Sequence, residues 1–485
     1  MEWILMGIFG ASLIFIFAFS MGQLHLTWVY LKSKSKQTKN PSADFQPRVT
    51  IQLPIFNEKY VAERLIDNIV KIDYPKDQLE IQVLDDSDDD TMEIVRLKVQ
   101  EYQNQGFDIH QIRRPDRTGF KAGALAFGMQ KAKGEFFAIF DADFMPKIDF
   151  LNETMGYFTD SKIGCVQTQW GHLNRDYSIL TQLQAFGLDA HFNVEQVGRN
   201  QSKSFINFNG TGGIWRKKCI EEAGGWSADT LTEDLDLSYR AQLIGWKIQF
   251  AEGVQAPAEL PVIMPAIKSQ QYRWNKGAAE TARKNLWNVL KSKNSLSTKV
   301  HAFFHLLNSS VFLSLLIAAV VSLPLLVLNS ETQVFEWFWQ IGRFLLLGFF
   351  SISAYYFVAS HNTGIKNPTA YFFKKYPLFL TFSMGLSLHN AVAVVEGLMG
   401  KKTPFIRTPK FNVFAKKDSW KGNQYIKPKI SWLTILEGLL SMYFIIGIFL
   451  GLLRGDFILI IFHTMLAIGF GVIFIHSMLA LKNAS

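Results

Sequence analysis

The stretch EFFAIFDADF, residues 135–144, joins a run of apolar residues to two carboxylates. The apolar run predicts a buried β-strand, and Asp141 and Asp143 follow it directly. Two carboxylates one residue apart can reach the same hard cation, because Mg²⁺ or Mn²⁺ typically binds one or two carboxylates together with phosphate oxygens of a substrate. An isolated pair of carboxylates could instead lie in a solvated turn. The surrounding sequence must therefore distinguish a cation site from such a turn.

On both sides of this stretch, short strand-like runs alternate with longer amphipathic segments. The strand-like runs include VTIQLPIF, EIQVLDD and IGCVQTQW, and the amphipathic segments include VAERLIDNIVKI and KAGALAFGMQKA. This alternation over residues 45–260 predicts βαβ units and a largely parallel sheet covered by helices. Ligands of such sheets bind beyond the carboxyl ends of the strands. We therefore expect Asp85 and Asp86, which end EIQVLDD, to face the same site as Asp141 and Asp143.

The composition predicts a membrane-bound part beside this globular one. Of 485 residues, 48% are hydrophobic, and 42 are Phe, which is too apolar for an ordinary soluble protein. Residues 3–31 contain no Asp, Glu, Lys or Arg and exceed the roughly 20 residues that span a bilayer. Because Glu2 precedes this segment and lysines follow it, we expect a membrane anchor with residue 32 onward in the cytoplasm. The lysines are Lys32, Lys34, Lys36 and Lys39.

Further apolar segments follow residue 300, at 303–328, 337–358, 377–399, 433–453 and 456–480. If all five crossed the membrane, the lysine-rich stretch 401–429 would lie outside, against the positive-inside rule. The second half of 377–399 holds His389, Asn390 and Glu396. We therefore interpret this segment as interfacial or re-entrant, which leaves five spanning helices in total.

Charge and cysteine usage exclude several classes of protein. The net charge of +9 comes with lysines beside apolar segments, which favours contacts with membrane lipids over nucleic acid, so we expect no nucleic-acid partner. Cys165 and Cys219 have no metal-ligand spacing, which argues against a zinc site and a disulfide-stapled fold. Asp86 to Asp90 superficially resembles a calcium loop, but Thr91 stands where Gly is needed and Leu97 where Glu is needed.

Other charged groups stand at predicted helix starts. Glu233 and Asp234 begin a predicted amphipathic helix, where their only role could be a favourable interaction with the positive end of the helix dipole. Lys121 is either a surface cation or a phosphate ligand beside backbone N–H groups. The glycine-rich GTGG at 210–213 lacks the spacing of the dinucleotide and Walker motifs, which excludes a nucleotide triphosphatase. By default, Arg273 and Trp274 in QQYRW would be a snorkelling cation and an interfacial aromatic.

Taken in order, six motifs resemble those of the processive family 2 glycosyltransferases, which include cellulose and hyaluronan synthases. The motifs are FNE (56–58), DDS (85–87), KAGAL (121–125), DAD (141–143), TED (232–234) and QQYRW (270–274). The flanking residues, such as QLPIFNE, FNGTGGIWR and AELP, most resemble plant cellulose-synthase-like enzymes that build mannan and xyloglucan backbones, and related bacterial membrane synthases. The resemblance covers about 48 to 290 and is looser beyond it.

The resemblance implies an α/β GT-A glycosyltransferase domain, with a Rossmann-like mixed sheet and helices on both faces, joined to an α-helical transmembrane region. The implied parts are a transmembrane helix at 1–31, a cytosolic catalytic domain at 45–265, amphipathic interface helices at 266–300 and a membrane region at 301–485. The last part includes the interfacial segment 377–399 and a gating-like loop at 401–429.

The resemblance also assigns roles to residues. Asp234 would be the general base, and Asp141 and Asp143 would hold Mg²⁺ or Mn²⁺. The implied donor-binding residues are Glu58, Asp85, Asp86, Lys121, Asp141 and Arg273. The implied acceptor-binding residues are Trp274, Gln270, Gln271, Phe208, Asn209, Gly210, Glu233 and Trp170. Thr408 and Lys410 would belong to a gating loop, which in the family carries the pattern V-T-x-K. This chain departs from that pattern, because Arg407 stands in place of the Val.

From this resemblance we expect an inverting, processive enzyme that transfers glucose or mannose from UDP-glucose or GDP-mannose to a growing β-glycan and exports it. We place it in the inner (plasma) membrane of a bacterium, with the catalytic domain cytoplasmic. A glycolipid synthase acting on diacylglycerol or ceramide is the alternative. A binding or scaffold protein with a degenerate site would lack Asp143 or Asp234, and both are present. The donor base and sugar, linkage, product length and oligomeric state stay open.

Overall fold

The computed structural model describes residues 2–33, 45–328, 333–426 and 430–482, with the backbone alone for 333–344 and 482. Three of the lysines behind the predicted membrane topology lie outside the described residues; they are Lys34, Lys36 and Lys39. The globular part is built on a seven-stranded sheet in the order β3-β2-β1-β4-β6-β5-β7. Its strands are β1 (Val49–Ile55), β2 (Leu79–Asp85), β3 (Ile109–Ile112), β4 (Phe136–Ile139), β5 (Ile163–His172), β6 (Gly213–Arg216) and β7 (Lys247–Ala258).

The sheet is mixed. The strands β3, β2, β1 and β4 run parallel, and so do β5 and β7, whereas β6 is antiparallel to both of its neighbours, β4 and β5. Side chains of β4 alternate between two cores: Phe136 and Ala138 lie in one, and Phe137 and Ile139 lie in the other. Both faces of the sheet are therefore covered, which explains why its strands read as nearly continuous apolar runs. The predicted fold class is confirmed.

Buried polar residues on the two central strands are paired across the sheet. Thr50 Oγ1 donates to Glu80 Oε2 at 2.6 Å, and Gln52 Nε2 donates to Gln82 Oε1 at 3.0 Å. The strand register places Thr50 opposite Glu80 and Gln52 opposite Gln82. Buried polar groups must find such partners, since an unpaired group is costly.

Helices cover the sheet and form the membrane part. The first helix is α1 (Glu2–Ser33), and the globular part adds α2 (Ala62–Ile69), α3 (Thr91–Asn104), α4 (Phe120–Lys131), α5 (Phe150–Thr154), α6 (Ile179–Ala190), α7 (Val197–Gln201), α8 (Lys217–Glu222) and α9 (Glu233–Leu243). The remaining helices are α10 (Met264–Lys291), α11 (Leu296–Leu306), α12 (Ser310–Leu328), α13 (Gln333–Ser360), α14 (Pro368–Gly385), α15 (Ser387–Leu398), α16 (Trp432–Arg454) and α17 (Phe457–Lys482). A π-helical turn, His191–Gln196, joins α6 to α7.

Within the described part of the chain, α1, α12, α16 and α17 are long and apolar enough to cross a membrane. The pair α14 and α15 would make a fifth span, but it is bent by 51°. The predicted segment 377–399 therefore belongs to two helices that meet at Leu386, a geometry shared by broken spans and re-entrant segments. The span predicted at 337–358 falls within α13, and its residues before 345 lie outside the part whose side chains are described; the described apolar part is 345–360.

The apolar segment predicted at 303–328 is interrupted near its start, and the helix that is long enough to cross a membrane covers Ser310–Leu328. Helix α11 ends at Leu306 and α12 begins at Ser310. The residues between them include Asn308 and Ser309, whose side chains bond to each other at 3.1 Å. Such side chains compete with the helical backbone for hydrogen bonds. The interface helices predicted at 266–300 are α10 and α11. Helix α11 ends at Leu306, six residues beyond the predicted boundary.

Two glycines let α14 and α17 touch backbone to backbone. A Cβ atom added to Gly469 would lie 2.3 Å from the carbonyl oxygen of Thr381, and one added to Gly385 would lie 2.4 Å from the backbone of Gly469. Small residues permit such close helix crossings in membranes, where packing rather than hydrophobicity drives association.

We expect Gly469→Val to destabilise the membrane part by about 1–3 kcal/mol, because α14 and α17 must separate to fit the new side chain. The measurement is the midpoint of thermal unfolding of the full chain in detergent. Gly7→Val is the matched control, since a Cβ atom at Gly7 meets nothing within 4 Å. Equal midpoints for the two variants would contradict the close crossing.

Candidate active site

A cleft opens at the carboxyl ends of β1, β2 and β4 and encloses about 1260 Å³ of empty space, with solvent at its mouth included. Most of the side chains predicted for the site line this cleft. They are Glu58, Asp86, Lys121, Asp141, Asp143, Trp170, Asn209, Gly210, Glu233, Asp234, Gln270, Arg273, Trp274, Thr408 and Lys410. Residues from the sheet, from α4, α9 and α10, and from the loop after α15 thus meet at one place.

Asp85 does not line the cleft, which differs from its predicted contact with the donor. Its carboxylate is 1% exposed and accepts hydrogen bonds from Gln111 Nε2 at 2.7 Å, Arg113 Nη1 at 3.1 Å and Ser87 N at 2.9 Å. Successive residues of a strand point to opposite faces. Asp86 therefore faces the cleft, and Asp85 secures the end of β2.

Phe208 and Gln271 also lie outside the cleft lining, although both were predicted to border the acceptor. Phe208 is fully buried and packs against Trp215 with ring centroids 5.7 Å apart. Gln271 is on α10, where residues three and four apart share a face. Gln270, Arg273 and Trp274 share the face that lines the cleft, and Gln271 is off that face.

Two lysines neutralise the carboxylates that follow β4. Lys121 Nζ lies 2.6 Å from Asp141 Oδ1 and donates to the carbonyl oxygen of Gly210 at 2.8 Å. Lys410 Nζ lies 2.7 Å from Asp143 Oδ2. Asp143 Oδ1 is buried and has no hydrogen-bond partner in the part of the chain that the structure describes. A buried carboxylate oxygen without a partner is costly, so this atom is suited to a cation.

The structure describes no group of three or more His, Cys, Asp or Glu side chains that could hold a metal ion. Asp141 and Asp143 could supply two ligands between them. This donor set suits Mg²⁺ or Mn²⁺ only when a substrate contributes further oxygen ligands, which is how Mg²⁺ is usually held beside phosphates.

Glu233 and Asp234 form the first turn of α9 and face the cleft. Burial, and next the charge of Glu233, raise the pKa of Asp234 to about 7, against the opposing charge of Lys121. Burial also raises the pKa of Glu233. Burial thus outweighs the positive end of the helix dipole, which favours the charged form of acids in the first turn. Raised pKa values in a cleft are typical of functional acids.

The loop that carries Gly210 lies against Asp234. Gly210 has φ +83°, and a Cβ atom there would lie 2.9 Å from Asp234 Oδ2. Two buried residues that the sequence interpretation missed hold this loop. Gln167 Oε1 accepts from Asn209 N at 2.8 Å, and Ser238 Oγ accepts from the backbone N–H of Phe208 at 2.9 Å. Gln167 interrupts the apolar run of β5, a signal that could have indicated its role.

The cleft-facing residues of α10 contact both β5 and the loop after α15. The rings of Trp274 and Trp170 lie 6.3 Å apart. Arg273 Nη2 donates to Thr408 Oγ1 at 3.0 Å, and its guanidinium lies 4.9 Å from the ring centroid of Phe405. The flat, apolar ring of Trp274 and the cationic guanidinium of Arg273 are therefore neighbours at the edge of the cleft.

The loop after α15 is fastened over the cleft. Arg407 Nη1 lies 3.4 Å from Glu58 Oε1, and burial raises the pKa of Glu58 to about 7 although the charge of Arg407 acts to lower it. Glu259 accepts from the backbone N–H groups of Phe411 at 2.9 Å and Asn412 at 3.0 Å. The sequence interpretation missed Glu259, although it follows β7 directly and would have qualified as an acid at a strand end.

The comparisons with known proteins agree with this geometry. A family model described as "Glycosyltransferase like family 2" matches residues 47–285. The chain is 34% identical over 365 residues to the probable glucomannan 4-beta-mannosyltransferase 4 of Oryza sativa subsp. japonica, covering 73% of this chain and 63% of the relative. It is 39% identical over 300 residues to the glucomannan 4-beta-mannosyltransferase 9 of Arabidopsis thaliana, covering 60% and 56%. The chain thus spans less than two thirds of these relatives' length.

Among solved structures, a mannosyltransferase from Pyrobaculum calidifontis, in complex with GDP-Man and Mn²⁺, superposes with a TM-score of 0.57. The sequences are 20% identical, and the alignment covers 81% of this chain and 100% of that one. This likeness supports the fold alone. The segment that the family model matches contains the whole sheet and most of the residues that line the cleft, and it ends within α10. Over residues 47–285, slightly less than half of its length, the chain matches glycosyltransferase family 2.

Proposed function

We propose that this protein is a membrane glycosyltransferase that moves a hexosyl unit, mannose or glucose, from a nucleotide-diphosphate sugar to a β-glycan. One observation carries the proposal: Asp141, Asp143, Asp234 and Trp274 line the same cleft. Paired carboxylates for a diphosphate-bound cation, a base and a sugar-stacking surface are the groups this transfer needs. The names of the relatives, glucomannan 4-beta-mannosyltransferases, favour mannose and a β-glycan over a glycolipid.

Asp234 is the proposed general base. Its raised pKa allows it to accept the proton of the acceptor hydroxyl near neutral pH. The hydroxyl oxygen forms the bond to the sugar's anomeric carbon as the bond to the diphosphate breaks. One displacement inverts the configuration, so an α-linked donor gives a β-linkage.

Three cations of the chain are proposed to stabilise the diphosphate that departs. Lys121, Arg273 and Lys410 line the cleft on the side of Asp141 and Asp143. A divalent cation held by these two carboxylates would supply further charge stabilisation of the leaving group. Asp143 Oδ1, which has no partner among the described residues, fits this role, and the Mn²⁺ complex of the Pyrobaculum calidifontis mannosyltransferase is compatible with it.

The acceptor is proposed to lie over Trp274 and Trp170, whose rings can stack on the apolar face of a sugar. Helix α10 also contacts the membrane helices: His389 Nε2 of α15 lies 3.0 Å from the carbonyl oxygen of Lys268, and Tyr272 bonds to Glu396. A glycan leaving Trp274 would thus meet the membrane bundle at once. This placement supports processive export. We further propose that the catalytic domain, about 45–265, lies in the cytoplasm of a bacterial cell.

Membranes that contain the full chain should incorporate label from GDP-mannose, or from UDP-glucose, into a product that chloroform–methanol does not extract. Hydrolases specific for β-mannan or β-glucan should release that label. Membranes without the chain are the blank. Label that appears only in the chloroform–methanol extract would support the glycolipid synthase instead.

Asp234→Asn should lower turnover by at least about a hundredfold, since an amide cannot accept the proton. Binding of the nucleotide should change little, because this side chain lies against the loop that carries Gly210, which is proposed to border the acceptor. The measurements are turnover and nucleotide affinity of the purified protein. Asp229→Asn is the matched control: Asp229 precedes α9 in the same segment and its side chain is 54% exposed. Turnover of Asp234→Asn near that of the control would refute the assignment.

The pH profile tests the same acid. Because a base acts in its deprotonated form, kcat/KM should rise with pH and level off above about 7, the raised pKa of Asp234. Glu233→Gln removes the neighbouring like charge, so it should lower the pKa of Asp234 and shift the rise to lower pH. The measurement is kcat/KM across the acid and neutral range. Glu222→Gln, an exposed acid on α8, should leave the midpoint in place, and an unmoved midpoint for Glu233→Gln would contradict the coupling.

A further inference from the structure

The segment RRPDR, which follows β3, holds three arginines that the structure uses in different ways. Arg113 pairs with Asp85 at 3.1 Å. Arg114 holds both carboxylate oxygens of Asp86, with Nε at 2.8 Å and Nη2 at 2.6 Å. Arg117 lines the cleft, and its Nε is buried without a hydrogen-bond partner among the described residues. A buried N–H without an acceptor is costly, so Arg117 is suited to bind an acceptor on a ligand.

The guanidinium of Arg117 is held in a fixed position. Its central carbon lies 3.3 Å from the ring centroid of Phe56. A contact this short fits a stacked arrangement, which leaves the N–H edges free to donate. Arg114 also donates to the carbonyl oxygens of Thr118 at 2.5 Å and Phe120 at 2.7 Å. The turn that carries Arg117 is thus fastened to the end of β2.

Asp86 completes a pair of opposite groups at this end of the cleft. It lines the cleft, as Arg117 does, and lies close enough for its charge to act on the Arg117 guanidinium. Each of its oxygens accepts one hydrogen bond from Arg114. A carboxylate offers about four lone-pair sites, so both oxygens can accept again. Two donors and two acceptors can therefore face a ligand in the cleft, which Phe56 and Phe405 also line.

We propose that Arg117 selects the nucleobase of the donor by donating hydrogen bonds to O6 and N7 of guanine, while Asp86 accepts from N1–H and the N2 amino group. This inference rests on the proposed function, because it concerns the nucleotide of the same donor. Guanine presents two neighbouring acceptors and two neighbouring donors, which match a guanidinium and a carboxylate. Uracil alternates O4, N3–H and O2, so satisfying its N–H brings a carbonyl oxygen close to the carboxylate.

The test measures the affinities of GDP, 7-deaza-GDP and UDP for the purified full chain with Mn²⁺ present. In 7-deaza-GDP a C–H replaces N7, so one of the two bonds from Arg117 is lost. We expect GDP to bind about fivefold or more tightly than 7-deaza-GDP, and also more tightly than UDP. Arg117→Lys should reduce the difference between GDP and 7-deaza-GDP to less than about twofold, because an ammonium lacks the fork geometry. The variant should leave the affinity for UDP nearly unchanged.

Arg96→Lys is the matched control, since Arg96 is half exposed on α3 and pairs with Glu93; it should preserve all three affinities. Three results would overturn the inference: equal binding of GDP and 7-deaza-GDP by the unchanged protein, tighter binding of UDP than of GDP, or equal weakening of GDP and UDP in Arg117→Lys. The first two need no variant, so a folding defect cannot hide them. A chain that polymerises glucose from UDP-glucose would refute this inference and leave the proposed transferase function standing.

Discussion

Compensation of buried negative charge holds the two halves of the cleft together. Asp141 and Asp143 follow a buried strand. Asp141, which is partly exposed, pairs at 2.6 Å with Lys121 of the preceding helix α4, and the buried Asp143 pairs at 2.7 Å with Lys410 of the distant loop after α15. Removing one partner of a buried ion pair is far more costly than the pair itself is stabilising. The loop that carries Lys410 therefore depends on the sheet, and the carboxylates of the sheet depend on the loop.

The same burial sets the acid–base properties of the cleft. Glu58 and Asp234 line the same cleft as the paired carboxylates, and burial raises the pKa of each to about 7. A general base with a pKa near the working pH is basic enough to accept a proton and is still partly deprotonated at that pH. Lys121 opposes this rise at Asp234, so the strength of the base depends on where that lysine makes its hydrogen bonds.

The sequence predicted the sheet and the acids at its strand ends well, because alternation and apolar runs report burial directly. It could not predict that β6, only four residues long, is antiparallel. Nor could the sequence show that Asp86, and not its neighbour Asp85, lines the cleft. This depends on the direction in which each side chain points at the end of β2. The orphan Nε of Arg117 and the anchoring role of Glu259 depend on contacts between distant segments, which no local pattern records.

Helix α10 connects the cleft to the membrane helices. One face places Arg273 and Trp274 in the cleft, and another contacts α15 through Lys268 and Tyr272. Gly277 allows the same helix to approach Thr232, where an added Cβ would lie 2.5 Å from its side chain. A single rigid element thus fixes the distance between the first turn of α9, which carries the proposed base, and the membrane helices. Any glycan bound over Trp274 would then have a constant orientation toward the bundle, whatever motion the loop above the cleft undergoes.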